Sequence, residues 1–432
     1  MSGLWRPSHR ANPALAAVAL LTMSLIASAC SSSGAVGPTA AQGSTTTTHI
    51  GAGTTNTTNT AITGSAGQAT PTYIDFVKPG VAWGLFELSQ PYPSQHCAMA
   101  VAHETAPGTF TSSVTLQNFT CGYSPSITAV NANSSGDVFA YGPGLYVSHD
   151  GGKTFVRDPQ PGAVLAVEAA GESVWMLEML CPASAGQSAG TPCQLHLLLS
   201  SDGGRTFQED KKFPTTLVGP EPENPLIQAS TWLLRPNTGQ AYVFAQPTIG
   251  SAPATPTKSG TVRVYYSSDG GSSWSMSAIS ACAGSFYEDA ALDPGGELMA
   301  VCAGQPAAGN QGKAVLISAN HGATWTSLKN CLNWTACGQS GWLAGYVSAV
   351  AYPSATTAFL GTERGGLAVS QNGGTSWHAV PGFSARAAYQ TEFFGSIGYV
   401  FGNDDSAAQS FIWTTTDLGR SWSDVPVKLA AG

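Results

Sequence analysis

The sequence predicts an all-β fold, a single β-propeller of four-stranded blades, seven in number with six as the alternative. Three observations predict it: an eight-residue motif that recurs six times, strand-like alternation around each copy, and a Gly-, Ser-, Thr- and Ala-rich composition with 10% charged residues. Such a composition suits short strands joined by tight turns and does not suit a helical bundle.

The motif reads Ser or Thr, any residue, Asp or Asn, any residue, Gly, any residue, Thr or Ser, then Trp or Phe. Copies begin at Ser148, Ser200, Ser267, Ser318, Ser370 and Thr415, as SHDGGKTF, SSDGGRTF, SSDGGSSW, SANHGATW, SQNGGTSW and TTDLGRSW. Their starts are 52, 67, 51, 52 and 45 residues apart, so the unit is about 50 residues with one insertion. The Asp or Asn (Asp150, Asp202, Asp269, Asn320, Asn372, Asp417) can accept hydrogen bonds from N–H groups of its own turn. The glycine two places on supplies a positive φ. The closing aromatic (Phe155, Phe207, Trp274, Trp325, Trp377, Trp422) leads into the next strand and offers a large face to bury between sheets. Because two copies carry Asn and the position recurs in every unit, these residues read as structural, not as metal ligands or catalytic acids.

This pattern resembles the Asp-box (BNR) repeat of sialidases, sortilin-type receptors, two-propeller xyloglucanases and photosystem II assembly-factor-like propellers. The resemblance covers residues 126–427, and the stretch GTERGGLAVSQNGGTSW is similar to the assembly-factor-like group in particular. In the clearest unit the strands are expected at Ile127 to Ala132, Asp137 to Tyr141, Leu145 to Ser148 and Thr154 to Arg157. Four such antiparallel strands make a blade. Tyr73 to Glu87 matches two strands of a seventh unit, and Cys97 to Phe110 a third strand with a degenerate box that keeps Gly108, Thr109 and Phe110. Seven blades then occupy residues 71 to 428; with six, this stretch is an N-terminal extension. Thr415 to Lys428 already supplies the last two strands of the final blade, so ring closure needs little strand swapping or an added N-terminal strand.

At the N-terminus, Arg6, His9 and Arg10 precede an apolar run from Ala14 to Ala27, the layout of a secretory signal peptide and too short to span a bilayer comfortably. Ala27-Ser28-Ala29-Cys30 followed by three serines resembles a bacterial lipobox, with Ala27 where that family prefers Leu. The resemblance implies a diacylated Cys30 as first residue of the mature protein; ordinary cleavage after Ala29 is the alternative. Each buried acyl methylene contributes about 0.8 kcal/mol to anchoring. Residues 31–70 carry too little apolar surface to offset the entropy of folding and read as a flexible tether a few nanometres in reach. The expected organisation is a lipoprotein signal peptide over 1–29, a Ser/Thr/Gly-rich tether over 30–70 and a monomeric propeller over 71–432. The protein would sit on the outer face of the bacterial cytoplasmic membrane or the cell surface.

Beyond Cys30, eight cysteines remain, an even number that suits an oxidising compartment. Sequence leaves 105 connectivities open; close spacing suggests Cys97 with Cys121, Cys181 with Cys193, Cys282 with Cys302, and Cys331 with Cys337. Metal binding is the rival reading, and no CxxC or Cys/His cluster supports it. No metal or cofactor is expected.

In the resembled family the boxes occupy one rim and ligand sites usually the other, built by the loops between strands two and three and between blades. All four suggested disulfides map to that second rim. The candidate ligand residues there are Tyr287, Glu288, Trp334, Arg364, Arg386 and Tyr389, accompanied by Glu221, Glu223, Asp289, Trp342, Glu363, Asp404 and Asp405. Each also reads as an ordinary loop or core-edge residue, and the disulfides as plain stabilisation.

The net charge of −8 is spread along the chain, and no Lys/Arg cluster exceeds the pair Lys211 and Lys212, which excludes the footprint of a nucleic-acid binder. The sialidases that the boxes resemble bind a substrate carboxylate with three arginines and carry an early Tyr/Phe-Arg-Ile-Pro motif, which this sequence lacks. Of its seven arginines after residue 30, Arg205 and Arg420 sit inside boxes and Arg157 follows one, which leaves Arg235, Arg263, Arg364 and Arg386; the clamp weighed from these is Arg235, Arg364 and Arg386, with Tyr287 and Glu288 nearby. Serine or cysteine catalysis lacks a GxSxG elbow and a free thiol. No catalytic residue is assigned. The sequence reads as a surface-anchored, non-catalytic recognition or assembly scaffold for a protein or cell-wall glycan, with a sialidase-like exo-glycosidase as the alternative.

Overall fold

The computed structural model describes residues 68–90, 95–123, 125–133, 136–181, 193–214, 216–218, 231–246, 261–283, 285–304, 310–332, 344–404 and 409–430. They form seven antiparallel sheets, each with four strands in sequential order. The blades span residues 68–120, 129–158, 163–209, 231–279, 286–330, 347–379 and 387–426. The first strands of successive blades touch in cyclic order, blade 7 meeting blade 1, so they line the axis of a closed ring. The ring is seven-bladed, and the stretch before the first box is a full blade rather than an extension. Its first strand, Gln68–Lys78, begins three residues inside the segment expected as tether.

Strand placement follows the alternation closely: Ala129–Ala132, Val138–Tyr141, Leu145–Ser148 and Val156–Asp158 in blade 2. The long interval between the second and third boxes holds an extra strand, Thr216–Val218, that pairs with Cys193–Ser200 at the edge of blade 3. Closure involves little swapping. Lys428–Leu429 adds a short parallel strand to the outer strand of blade 1. The Lys428 N–H donates to Gly108 O at 2.8 Å and the Ala430 N–H to Phe110 O at 2.8 Å.

Each box closes on itself as its residue types require. In blade 2, Asp150 Oδ1 accepts from the N–H groups of Lys153 at 3.0 Å and Thr154 at 2.9 Å, while Oδ2 accepts from the Thr154 hydroxyl at 2.6 Å. The opening Ser148 hydroxyl accepts from the Gly152 N–H at 2.9 Å. Asn320 does the same with Thr324, its Nδ2 donating to the hydroxyl where Asp would accept. Blade 1 lacks the Asp, and Glu104 Oε1 instead takes the Gly108 N–H at 2.8 Å.

The box turn also docks on the preceding blade. A Cβ on Gly152 would lie 2.3 Å from the ring of Trp83, one on Gly204 2.5 Å from Phe139, and one on Gly419 2.4 Å from Phe359. Those rings stand near the start of the second strand of the preceding blade, and apolar cores fill the spaces between adjacent sheets. In blade 5, His321 holds the left-handed position at φ 57°. Its ring lies parallel to Tyr266 at 4.5 Å and its Nδ1 is 2.8 Å from Tyr242 Oη. These contacts offset a backbone cost of about 1 kcal/mol.

Gly152→Ala combines a steric clash with a φ of +77° and is expected to cost about 2 to 4 kcal/mol in urea unfolding. Gly80→Ala, with φ +74° and nothing within 4 Å of its Cβ, should lose only the backbone share, about 1 kcal/mol. The boxes also set the acid limit. Burial works to raise the Asp150 and Asp202 carboxyls, yet the hydrogen bonds of the turn outweigh it and push both down to about 2. Asp417 is pushed down to about 2 by the Ser421 and Thr415 hydrogen bonds. A folded pKa below the ordinary value contributes stability that is present above that value and is lost as pH falls through the folded one. The thermal midpoint should therefore drop steeply between about pH 4 and about pH 2. Replacing Asp150, Asp202 and Asp417 by Asn, which closes the boxes of blades 5 and 6, should make that limb shallower.

Candidate functional site: the rim opposite the boxes

The loops between strands one and two, and between strands three and four, share one rim with the boxes. The other rim is made by the loops between strands two and three and by the blade junctions. Three disulfides lie there: Cys97–Cys121, Cys181–Cys193 and Cys282–Cys302, closing 24, 12 and 20 residues of sequence. Cys331 is disulfide-bonded as well, and Cys337, its expected partner, lies outside the described residues.

At the junction of blades 6 and 7 neighbouring rim segments carry polar and aromatic residues. Arg364 occupies the turn between Thr357–Thr362 and Gly366–Ser370, exposed, with its guanidinium carbon 5.5 Å from the centroid of Tyr346. A cation over an aromatic face holds this side chain in place without removing its charge from water. The Glu363 N–H donates to Tyr346 O at 2.9 Å, the Gly366 N–H to Arg386 O at 2.8 Å and the Arg386 N–H to Asn403 O at 3.2 Å. Backbone bonds thus place the two arginines on neighbouring segments. Tyr389 stands half-buried beside them in Ala387–Phe394 and packs on Phe401. Burial pushes its phenol up, and the Glu363 charge adds to this, while a hydrogen bond with Asn403 works the other way.

The remaining expected residues divide. Tyr287 and Glu288 lie at the rim end of Phe286–Leu292, and their side chains are outside the description. Trp334, Trp342, Glu221, Glu223 and Asp405 lie outside the described residues. Asp289 is a correction to the expected rim: it is buried, and its carboxylate accepts from the N–H groups of Ala290 and of Val350 in the next blade, each at 2.8 Å. It ties blades together instead of facing a ligand. Arg235 corrects the arginine clamp. It ends the first strand of blade 4, Thr231–Leu234, on the box rim, where it donates to Ser173 O and Ser173 Oγ at 2.7 Å each. Its guanidinium lies 4.6 Å from the centroid of Trp175. The structure therefore places Arg364 and Arg386 on neighbouring, hydrogen-bonded segments and puts Arg235 on the opposite rim.

Sequence reading missed Lys313, a buried cation at the rim end of blade 5. Its ammonium donates to Gln311 O and Gly345 O at 2.9 Å each, which fixes the junction of blades 5 and 6. A lysine opening a strand looks like a solvated one, and no local signal distinguishes it.

Fold and rim together define a disulfide-braced, seven-bladed β-propeller, and bridges of this kind suit an oxidising compartment such as that of an exported protein. No protein-family model matches the sequence, and no curated protein matches it. Among solved structures, the chain is similar to YCF48 bound to D1 peptide, at 15% identity and TM-score 0.49 over 78% of this chain and 92% of that one. It is likewise similar to YCF48 from Cyanidioschyzon merolae, at 16% identity and TM-score 0.47 over 78% and 94%. A Hadza microbial sialidase, Hz136, aligns at 12% identity and TM-score 0.40 over 74% and 75%. The fold assignment rests on the seven sheets, and these likenesses add no ligand or reaction to it.

A variant carrying Cys181→Ser and Cys193→Ser should keep the fold and lose about 2 to 3 kcal/mol in chemical unfolding. A non-reducing digest of the parent protein should yield the 97–121, 181–193 and 282–302 pairs as linked peptides.

Proposed function

We propose that the protein is a surface-tethered recognition or assembly scaffold, not a hydrolase. Its lipid sits on Cys30, the Ser/Thr/Gly-rich stretch from 31 to 67 serves as the spacer, and the rim opposite the boxes meets a protein or cell-wall glycan. The observation that carries this reading is the patch of Arg364, Arg386 and Tyr389. It comprises a cation seated on an aromatic ring, a second arginine and a half-buried phenol on neighbouring segments of one rim. Charged and aromatic side chains of this kind suit polar recognition at interfaces.

A sialidase-like reading needs three convergent cations around a substrate carboxylate. Arg235 is committed to Ser173 and Trp175 on the far rim, which weighs against that clamp.

The test uses the full chain expressed in a bacterial host. Metabolic labelling with an alkyne fatty acid is expected to tag it, and Cys30→Ala to remove the tag. Crosslinked envelope partners and a glycan array would then be compared across variants. Binding should fall at least about tenfold in Arg364→Ala and Arg386→Ala, and should persist in Arg420→Ala, whose exposed side chain is on the box rim. Turnover of a sialoside or other glycoside by the parent protein, abolished by Arg386→Ala, would overturn the scaffold reading.

A further inference from the structure

The chain enters the described fold on the rim that carries Arg364 and Arg386. The first strand of blade 1 starts at Gln68 and runs toward the box rim, where the Lys78 and Val81 pair closes its hairpin. Its opening residue stands in a row with the braced end of the blade. Gln68 pairs with Ser89, Ser89 with Cys97 and Cys97 with Phe119, and Cys97 is bridged to Cys121. Blade 7, which carries Tyr389, adjoins this entry point. Ala69 and Tyr389 pack against one apolar cluster built from blades 7 and 1, and the Ile74 N–H donates to Gln390 Oε1 at 2.8 Å. Residues 31–67 are therefore joined to the ring beside the candidate residues, at the end of the molecule away from the boxes.

The place of attachment biases how an anchored ring is held. The stretch from 31 to 67 has about 37 residues, and a Gly/Ser-rich chain of that length has a root-mean-square span of about 30 to 36 Å. The first strand of blade 1 has 11 residues, which at about 3.3 Å each separate the two rims by about 35 Å. With the attached rim toward the anchor, the whole span is available to the gap between ring and membrane. With the box rim toward the anchor, the same chain must first pass the width of a blade and then the height of the ring. That path uses its entire relaxed span before any gap is bridged.

We propose that the rim opposite the boxes faces the membrane that holds the Cys30 lipid, and that its partner is a polar extracytoplasmic segment of a protein embedded in that membrane. The inference rests on the anchored-scaffold reading above and narrows its partner. A bare bilayer is a poor occupant. Arg364 and Arg386 are accompanied on their segments by Glu363 and Asp404, so these segments hold no excess of positive charge for anionic headgroups. Among the described residues the exposed large apolar side chains are Tyr123, Val156 and Met276, which stand on different elements and make no common face for insertion. A wall glycan is a poor occupant as well, because a rim held toward the bilayer is turned away from the wall. A protein segment near the membrane offers carboxylate and carbonyl acceptors for directed bonds from the two arginines, and side chains that can pack on Tyr346 and Tyr389.

Energy transfer to headgroup-labelled lipid tests the orientation, with the lipidated full chain reconstituted in phosphatidylcholine and phosphatidylglycerol vesicles. The donor fluorophore is carried by Ser384→Cys, at the junction of blades 6 and 7, or by Lys153→Cys in the box of blade 2, both exposed positions. Transfer from Ser384→Cys should be at least about twofold greater, and doubling the spacer with Gly/Ser repeats should bring the two closer. Equal or reversed transfer with the native spacer would overturn the orientation and leave the scaffold reading standing. A chain that takes no fatty-acid label on Cys30 would overturn both. The partner is read with a benzophenone amino acid in place of Ser384 in the expressing cells. The crosslinked peptide should map to an extracytoplasmic stretch of an integral membrane protein, and its yield should fall at least about fivefold with Arg364→Ala. Crosslinks to lipid or wall glycan alone, or a yield unchanged by Arg364→Ala, would overturn the assigned partner.

Discussion

The contact on which the ring depends is the seating of each box turn on an aromatic or other bulky side chain of the blade before it. Gly152 lies against Trp83, Gly204 against Phe139 and Gly419 against Phe359, so closely that no side chain fits between. The box therefore has two tasks that share one geometry. Its Asp or Asn ties the turn internally, and its glycine lets that turn approach the neighbouring blade. Apolar cores between adjacent sheets then bury the remaining faces. Repetition turns a local hairpin lock into a closed circle.

That arrangement gives the molecule two unlike ends. On the box rim the turns are short and their polar groups are used within the repeat, as Asp202 is by Arg205 N–H and Thr206. Asp137 there accepts from Asn133 Nδ2 and lies 2.9 Å from His149 Nδ1, again serving local structure. On the opposite rim the connections vary from blade to blade and are held by disulfides and by Lys313. Loops fixed on a rigid scaffold can differ in sequence without disturbing the ring, which makes this rim the place where recognition can be built.

The axis follows a third logic. Between first strands, hydrogen bonds run from backbone to side chain across blade boundaries, as from Ile74 N–H to Gln390 Oε1 at 2.8 Å and from Val350 N–H to Asp289 Oδ2 at 2.8 Å. Innermost strands have a free edge, and polar side chains of the adjacent blade satisfy part of it. The same need explains why carboxylates and amides are found at the centre of an otherwise apolar interior.

The sequence by itself determined the all-β class, the repeat and the positions of most strands, and close spacing suggested the three disulfide pairs that the structure describes. Those features depend on short-range chemistry: a turn needs Asp and Gly at set offsets, a strand alternates, and nearby cysteines on one rim meet. Only the tertiary structure decided that the stretch before the first box is a true seventh blade and that Lys428–Leu429 closes the ring on Thr109–Phe110. It alone separated Arg235 from Arg364 and Arg386, and it alone turned Asp289 inward to Val350. These outcomes join residues tens to hundreds of positions apart, and they depend on which end of a strand a side chain occupies once the ring has closed.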